Sequence, residues 1–134
     1  METKFTFNTI GLFTTDNKKM VEFYSDIMGF TTDWNGEDRN VMMWHGEMCL
    51  MLFPRVLFEQ MTNREYGYPK GLNGTLEMAF HVPTFKDVDA EYDRAVAMGA
   101  KSVFEPQTMP WGQRTCYIAD PEGNLIEIHS FTQD

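Results

Sequence analysis

Alternation of apolar and polar residues is clearest at the end of the chain. Residues 125–129 read Leu-Ile-Glu-Ile-His. Because successive side chains of a strand point to opposite faces, Ile126 and Ile128 share one face and Glu127 lies on the other. The preceding Asp-Pro-Glu-Gly-Asn, 120–124, is rich in turn residues. The pattern therefore predicts a terminal β-hairpin whose glutamate faces either solvent or a pocket.

The first half of the chain predicts one β-α-β-β-β unit. A β-rich run, 5–12, is followed by apolar residues at helical spacing that end at Gly29, a residue suited to the position after a helix. Three shorter β-rich runs follow, separated by turn residues. The strands predicted after the helix are 30–34, 40–44 and 48–53.

The second half repeats this order. Strand 76–82 is followed by Thr84, which begins a capping-box pattern with Asp87, and by a helical stripe that ends at Gly99. Both helices close on the same Met-Gly pair, which indicates an internal duplication. The remaining predicted strands are 102–104, 113–118 and 125–131.

The duplication predicts a single domain, 1–134, made of module one, 1–53, and module two, 75–134. The connection between them, 54–74, mixes glycine and proline with aromatic residues. Such a length is unusual inside a compact domain and is typical of a linker or a lid over a functional site. The apolar run 56–58 predicts a helical turn within it.

Composition narrows the class of protein. The net charge of −9 argues against nucleic acid as a partner, because such binding depends on Lys and Arg. No apolar run approaches the roughly 20 residues of a membrane span. Cys49 and Cys116 lie in apolar runs, which favours buried free thiols and a cytoplasmic protein. Eleven Met and eleven Phe residues favour an adaptable apolar interior or ligand cavity.

The tandem modules and the hairpin over 120–128, together with the helix segment 22–30, resemble the vicinal oxygen chelate superfamily, which includes glyoxalases, bleomycin resistance proteins and extradiol dioxygenases. The resemblance implies an α+β fold in which two β-α-β-β-β modules form a curved mixed sheet around a cavity. It also implies a small-molecule ligand and a homodimer.

Enzymes of this superfamily hold a divalent metal through residues on the first and last strands of each module. By resemblance, those positions correspond here to Asn8, Met51, Glu77 and Glu127. None of them is a histidine, and a methionine suits a hard cation poorly. The sequence therefore predicts either no metal or a divalent ion such as Ni, Fe, Mn or Zn on Asn8, Glu77 and Glu127.

Side-chain parity places Trp111, Gln113 and Tyr117 on one face. If that face is concave, Trp111 and Tyr117 would wall an apolar pocket, with Gln113 or Arg114 fixing a polar ligand group. The alternative is a packed edge strand with a solvated arginine. Met51 and Phe53 would line the opposite wall.

Glu77 and Glu127 are the candidate catalytic residues. Adjacent carboxylates raise the pKa of one member, which would allow proton transfer without a metal. The expected function is binding of a partly apolar or aromatic small molecule, as in bleomycin-resistance proteins. The alternative is a divalent-metal-dependent lyase, isomerase or dioxygenase that uses these two glutamates.

Overall fold

The protein is described by a computed structural model that covers residues 2–134. The fold is α+β, with two open mixed sheets and three α-helices. The chain divides into two compact units, unit one (Met1–Tyr66) and unit two (Gly67–Asp134). The duplication seen in the sequence is thus present as two similarly built units.

The elements of unit one are β1 (Thr9–Thr14), α1 (Asn17–Glu22), β2 (Val41–His45), β3 (Met48–Pro54) and α2 (Arg55–Thr62). The three strands form a sheet in the order β1-β3-β2. Strand β1 pairs parallel to β3, and β2 pairs antiparallel to β3. Helix α1 continues into a π-helical segment, Phe23–Ile27, and Met20 and Tyr24 from this stretch are fully buried.

The strand predicted at 30–34 is wrong. Only Thr31 pairs there, in an isolated bridge with Trp44. Thr31 and Trp44 exchange both backbone hydrogen bonds, so the next rung would take the backbone N–H of Asp33 to the carbonyl of Met42. The hydroxyl of Thr32 donates to that carbonyl instead, at 2.7 Å. A threonine side chain has taken the place of a ladder hydrogen bond, an exchange that local β-propensity does not reveal.

Two other boundaries differ from the sequence pattern. The first strand begins at Thr9 rather than at residue 5, and Phe5 and Phe7 before it are 90% and 79% exposed. The predicted helical turn at 56–58 is part of the eight-residue helix α2, which ends at Asn63 in the left-handed conformation.

The elements of unit two are β4 (Asn73–His81), α3 (Phe85–Ala97), β5 (Lys101–Thr108), β6 (Arg114–Ala119) and β7 (Asn124–Ser130). The four strands form a sheet in the order β4-β7-β6-β5. Strand β4 pairs parallel to β7, and the other neighbours are antiparallel. The capping box predicted at Thr84 and Asp87 is present at the start of α3.

Helix α3 contacts β5, β6 and β7, so one face of the unit-two sheet is covered. Ile118, Ile126 and Ile128 are 0–4% exposed and form part of the core. Because side chains alternate along a strand, Tyr117 and Glu127 are directed to the opposite face. The sheet thus separates an apolar core from the face on which the candidate site lies.

The terminal hairpin turns as predicted. Asp120 accepts hydrogen bonds through Oδ1 from the backbone N–H groups of Glu122 (2.9 Å) and Asn124 (3.0 Å). Gly123 adopts φ +90°, a conformation that favours glycine. These bonds fix the turn and therefore the register of β6 against β7.

Both cysteines are buried and free, Cys49 in unit one and Cys116 in unit two, as the apolar runs predicted. Burial raises the pKa of the Cys116 thiol to about 12. Among residues 2–134, no helix combines the length and the apolar character needed to cross a bilayer.

Candidate functional site

A pocket of about 510 Å³ opens on the face of the unit-two sheet opposite α3. All of its lining residues belong to unit two. Four are Glu, Gln or Thr, and the other six include three aromatic rings and one thioether. The lining residues are Glu77, Val103, Phe104, Met109, Trp111, Gln113, Thr115, Tyr117, Leu125 and Glu127.

Glu127 is the buried carboxylate of this pocket, with 8% of its surface exposed. The hydroxyl of Thr115 donates to Oε2 at 2.6 Å, and Nε2 of Gln113 donates to the same oxygen at 3.2 Å. These partners lie on β6 or just before it, and the antiparallel pairing of β6 with β7 brings them beside Glu127. The sequence left open whether this glutamate faces solvent or a pocket, and in the structure it lines the pocket.

Gln113 is oriented by Trp111. The indole Nε1–H can only donate a hydrogen bond, and it lies 2.8 Å from Oε1 of Gln113. The amide oxygen therefore faces Trp111, and the NH₂ group faces Glu127 and Nδ1 of His129, which is 3.1 Å away. Since an amide NH₂ only donates, Nδ1 of His129 is the acceptor and its neutral ring carries the proton on Nε2.

Glu77 approaches Glu127 from the parallel neighbour β4. The hydroxyl of Tyr117 donates to Oε1 of Glu77 at 3.1 Å. Burial, followed by the negative charge of Glu127, raises the pKa of Glu77, while the Tyr117 hydrogen bond acts in the opposite direction. Burial and the two carboxylates raise the pKa of Tyr117 as well. The geometry thus brings together the acidic pair that the sequence proposed.

The apolar side of the pocket includes residues that sequence analysis missed, namely Val103, Phe104 and Met109. Strand β5 runs over Lys101–Thr108, which makes it five residues longer than the predicted strand, and its pairing with β6 shifts between Ser102 and Phe104. A register shift breaks the two-residue alternation on which parity arguments rest. In the sequence, only the weak β-pattern after residue 104 indicates that the strand continues and that these residues could line the pocket.

Arg114 does not contribute to the pocket. Its guanidinium makes a bidentate contact with Asp89 on α3, at 3.0 and 2.8 Å, and donates to the hydroxyl of Thr108 at 2.9 Å. The hydrogen bond and charge of Asp89 raise the pKa of Arg114. Gln113 and Arg114 were both proposed to fix a polar ligand group, and of these two Gln113 lines the pocket.

Asn8, Met51 and Phe53 belong to unit one. The side chain of Asn8 accepts a hydrogen bond from Thr9 at 2.8 Å and is exposed. Met51 covers its register partner Gly11, since a Cβ there would lie 3.2 Å from the methionine Cε. Phe53 contacts the rings of Phe13 and Phe58. The role of these three residues in ligand binding stays a prediction.

The resemblance implies a divalent metal, and unit two offers Glu77 and Glu127 as its donors. Oε2 of Glu127 already accepts two protein hydrogen bonds, and Glu77 accepts one from Tyr117. Within residues 2–134, no group of three or more His, Cys, Asp or Glu side chains is suited to hold a metal ion. Zinc takes three or four protein ligands, so these two residues do not fit such an ion.

Comparisons with known proteins agree with the fold. The Glyoxalase/Bleomycin resistance protein/Dioxygenase superfamily model matches residues 6–128. The uncharacterized protein YraH of Bacillus subtilis (strain 168) is 32% identical over 123 residues, which cover 90% of this chain and 94% of that protein.

Two solved structures illustrate the likeness of fold. A glyoxalase/bleomycin resistance protein/dioxygenase from Nocardioides matches with a TM-score of 0.83 and 23% identity, covering 98% of this chain and 87% of that chain. A lactoylglutathione lyase from Agrobacterium tumefaciens matches with a TM-score of 0.72 and 21% identity, covering 92% of each chain.

Proposed function

The chain belongs to the glyoxalase/bleomycin resistance protein/dioxygenase superfamily, and from this premise we propose that it binds a partly apolar or aromatic small molecule in the pocket of unit two. Binding does not require a metal. The side chains that contact the ligand are Trp111, Gln113 and Tyr117, with Glu77 and Glu127 at the polar end.

The observation that carries the proposal is the composition of the pocket. Ligand sites are concave and largely apolar, with a few polar groups that fix orientation, and occupy about 300–1,000 Å³. This pocket, of about 510 Å³, has that construction. Its polar groups are held by one hydrogen-bond network that runs from Trp111 through Gln113 to Glu127.

Saturable binding of aromatic ligands tests the proposal, with Trp111 as the reporter. Trp111 is 66% exposed at the pocket, so a ligand that stacks on its indole should change its fluorescence. We expect Trp111→Phe to remove most of the change. Trp34→Phe is the matched control, because the Trp34 indole bonds to Asp38 in its own loop of unit one, at 2.8 Å.

Two results would contradict this proposal. One is the absence of saturable binding for any aromatic ligand, as measured by calorimetry as well as fluorescence. The other is stoichiometric Ni, Fe, Mn or Zn in protein purified without chelator and its loss in Glu127→Gln. That second result would favour a metal-dependent lyase, isomerase or dioxygenase.

We also propose a cytoplasmic location and a homodimer. Two buried free thiols support a reducing compartment. The exposed rings of Phe5 and Phe7, two residues apart in the chain, support self-association, because exposed apolar surface is typical of interfaces. They directly precede β1, an edge strand of the unit-one sheet.

A further inference from the structure

We propose that the pocket of unit two selects ligands that carry a protonated amine next to an aromatic or apolar body, with the ammonium group between Glu77 and Glu127. This inference rests on the proposed function, since it names the chemical class of the ligand that the same pocket takes. It is carried by the charges that line the pocket, by the hydrogen-bonding capacity of its polar end and by its aromatic walls.

The charged groups of the lining are all negative. Glu77 and Glu127 are its only ionisable carboxylates, and the set of lining residues contains no Lys, Arg or His. The nearest arginine along β6, Arg114, is paired with Asp89 on the α3 side. Within this lining an anionic ligand would meet only like charge, whereas a cation would meet two opposite charges.

The two carboxylates leave acceptor capacity for a ligand. Thr115 and Gln113 both donate to Oε2 of Glu127. The Tyr117 hydroxyl donates to Oε1 of Glu77 and also interacts with Glu127, and the two carboxyl groups interact with each other. An ionised carboxylate accepts about four hydrogen bonds, and an ammonium group offers three donors and no acceptor. A primary ammonium thus complements this end of the pocket better than a hydroxyl or a carboxylate does.

The mutual repulsion of Glu77 and Glu127 favours a positive charge placed between them. Burial and the charge of Glu127 raise the pKa of Glu77, so the pair is destabilised when both members are ionised. A cation between them would offset that repulsion. A divalent ion would also do so, but the pocket lacks the further ligands that such an ion takes.

The aromatic walls suit the rest of the ligand. Phe104 and Tyr117 contact each other with ring centroids 6.3 Å apart, and the Trp111 indole is tethered to Gln113 at its N–H. Aromatic faces attract cations, and tryptophan most strongly. They also stack on an aromatic ligand body, so one wall serves both parts of the molecule.

Three probes of similar shape and different charge test the inference, each titrated into the protein by calorimetry with a chelator present. They are 2-phenylethylammonium, 2-phenylethanol and 3-phenylpropionate. We expect the cation to bind about 10-fold or more tightly than the alcohol, the difference that a charge-assisted hydrogen bond supplies. The anion should bind most weakly.

Variants that remove one negative charge test whether the preference for the cation comes from Glu77 and Glu127. Glu127→Gln and Glu77→Gln should each reduce the preference for the cation by about 10-fold. Glu105→Gln is the matched control, because Glu105 is an exposed carboxylate of β5 that is not part of the lining. Glu77 is also exposed, so its variant should fold even if Glu127→Gln does not.

The outcomes separate this inference from the function on which it rests. Equal binding of the cation and the alcohol would overturn the inference and leave a small-molecule pocket. A preference that Glu105→Gln lowers as much as Glu77→Gln does would also overturn it, since the cause would be overall charge. Saturable binding of none of the probes would count against both proposals.

Discussion

At the scale of single residues, the indole N–H of Trp111 determines how the amide of Gln113 is oriented in the site. The Trp111 donor fixes the amide of Gln113, and the amide then presents donors to both Glu127 and His129. The Gln113 amide could in principle be oriented either way round. Because an indole N–H can only donate, Trp111 determines which end of the amide faces it and therefore which end faces Glu127 and His129.

The first prediction concerns the tautomer of His129. In the native protein, nitrogen NMR of the neutral ring should show the proton on Nε2, because Nδ1 accepts from Gln113. In Gln113→Leu that acceptor position loses its donor, and we expect a mixture of tautomers. His81→Gln serves as control, because the rings of His81 and His129 touch edge to face without a hydrogen bond between them in the described structure. An Nδ1–H tautomer in the native protein would contradict the assignment.

The second prediction concerns the titration of Glu77. Its carboxyl should titrate above the ordinary glutamate pKa of about 4.3, because burial and the charge of Glu127 raise it. Carbon NMR should show a lower pKa in Glu127→Gln, which removes a raising charge. Tyr117→Phe should show a higher pKa, since it removes the hydrogen bond that stabilises the ionised form.

The same shift sets the sign of a pH effect on binding. The groups that act on Glu77 are Glu127 and His129 on β7 and Tyr117 on β6. As pH falls through the raised pKa of Glu77, protonation removes one of the two negative charges. Affinity for 2-phenylethylammonium should therefore decrease on acidification, whereas affinity for 2-phenylethanol should change little. The opposite order would contradict the assigned charges.

At the scale of elements, the terminal hairpin depends on the space around one glycine. A Cβ at Gly123 would lie 2.0 Å from the carbonyl oxygen of Gly71. The backbone N–H of Asn73 donates to the Gly123 carbonyl at 2.7 Å, so the segment before β4 is held directly against the turn. The hairpin that carries Glu127 is thus joined to the strand that carries Glu77.

The third prediction compares alanine substitutions at two glycines with similar φ angles, Gly123 and Gly36. Gly123→Ala should lower the free energy of unfolding by about 3 kcal/mol, since it combines left-handed strain with a backbone collision. Gly36→Ala should cost about 1 kcal/mol, because φ there is +86° but nothing lies within 4 Å of the added carbon. Chemical denaturation of both variants measures the difference. Equal losses would show that the contact with Gly71 has no energetic weight.

At the scale of the whole molecule, two units share one plan. Each sheet places its first and last strands side by side in parallel, β1 with β3 and β4 with β7. Unit two completes the sheet with β5, whereas unit one retains only the Thr31–Trp44 bridge at the corresponding edge. The duplicated plan therefore persists while one module has lost an edge strand.

The fourth prediction concerns self-association. If Phe5 and Phe7 lie in a dimer interface, replacing both with serine should convert a particle of twice the chain mass into a monomer, because the apolar area that drives association is removed. Light scattering after size exclusion measures this mass. Phe131→Ser is the control, because Phe131 is also exposed, at 59%, but lies beyond β7 in unit two. A native monomer would contradict the proposed homodimer.

Local patterns were sufficient where neighbours in sequence decide the structure. The helix start at Thr84, the turn at Gly123 and the face of Glu127 follow from capping, backbone freedom and strand alternation. The pairing of Glu77 with Glu127 was also anticipated, because both lay on the first and last strands of one module. The wall that includes Phe104 and Met109 was not, because a register shift interrupts alternation in β5.

The sequence by itself determined the α+β class and the repeated order of strands and helices, apart from the strand predicted at 30–34, because these depend on periodicity and turn chemistry within short stretches of the chain. The family was indicated by the resemblance of the terminal hairpin and the first helix segment. Only the tertiary structure decided that Arg114 faces α3, that Trp111 orients Gln113, and that the pocket has acidic polar groups without a basic partner. Those outcomes depend on which strands become neighbours and in what register, and long-range pairing is not encoded in local pattern.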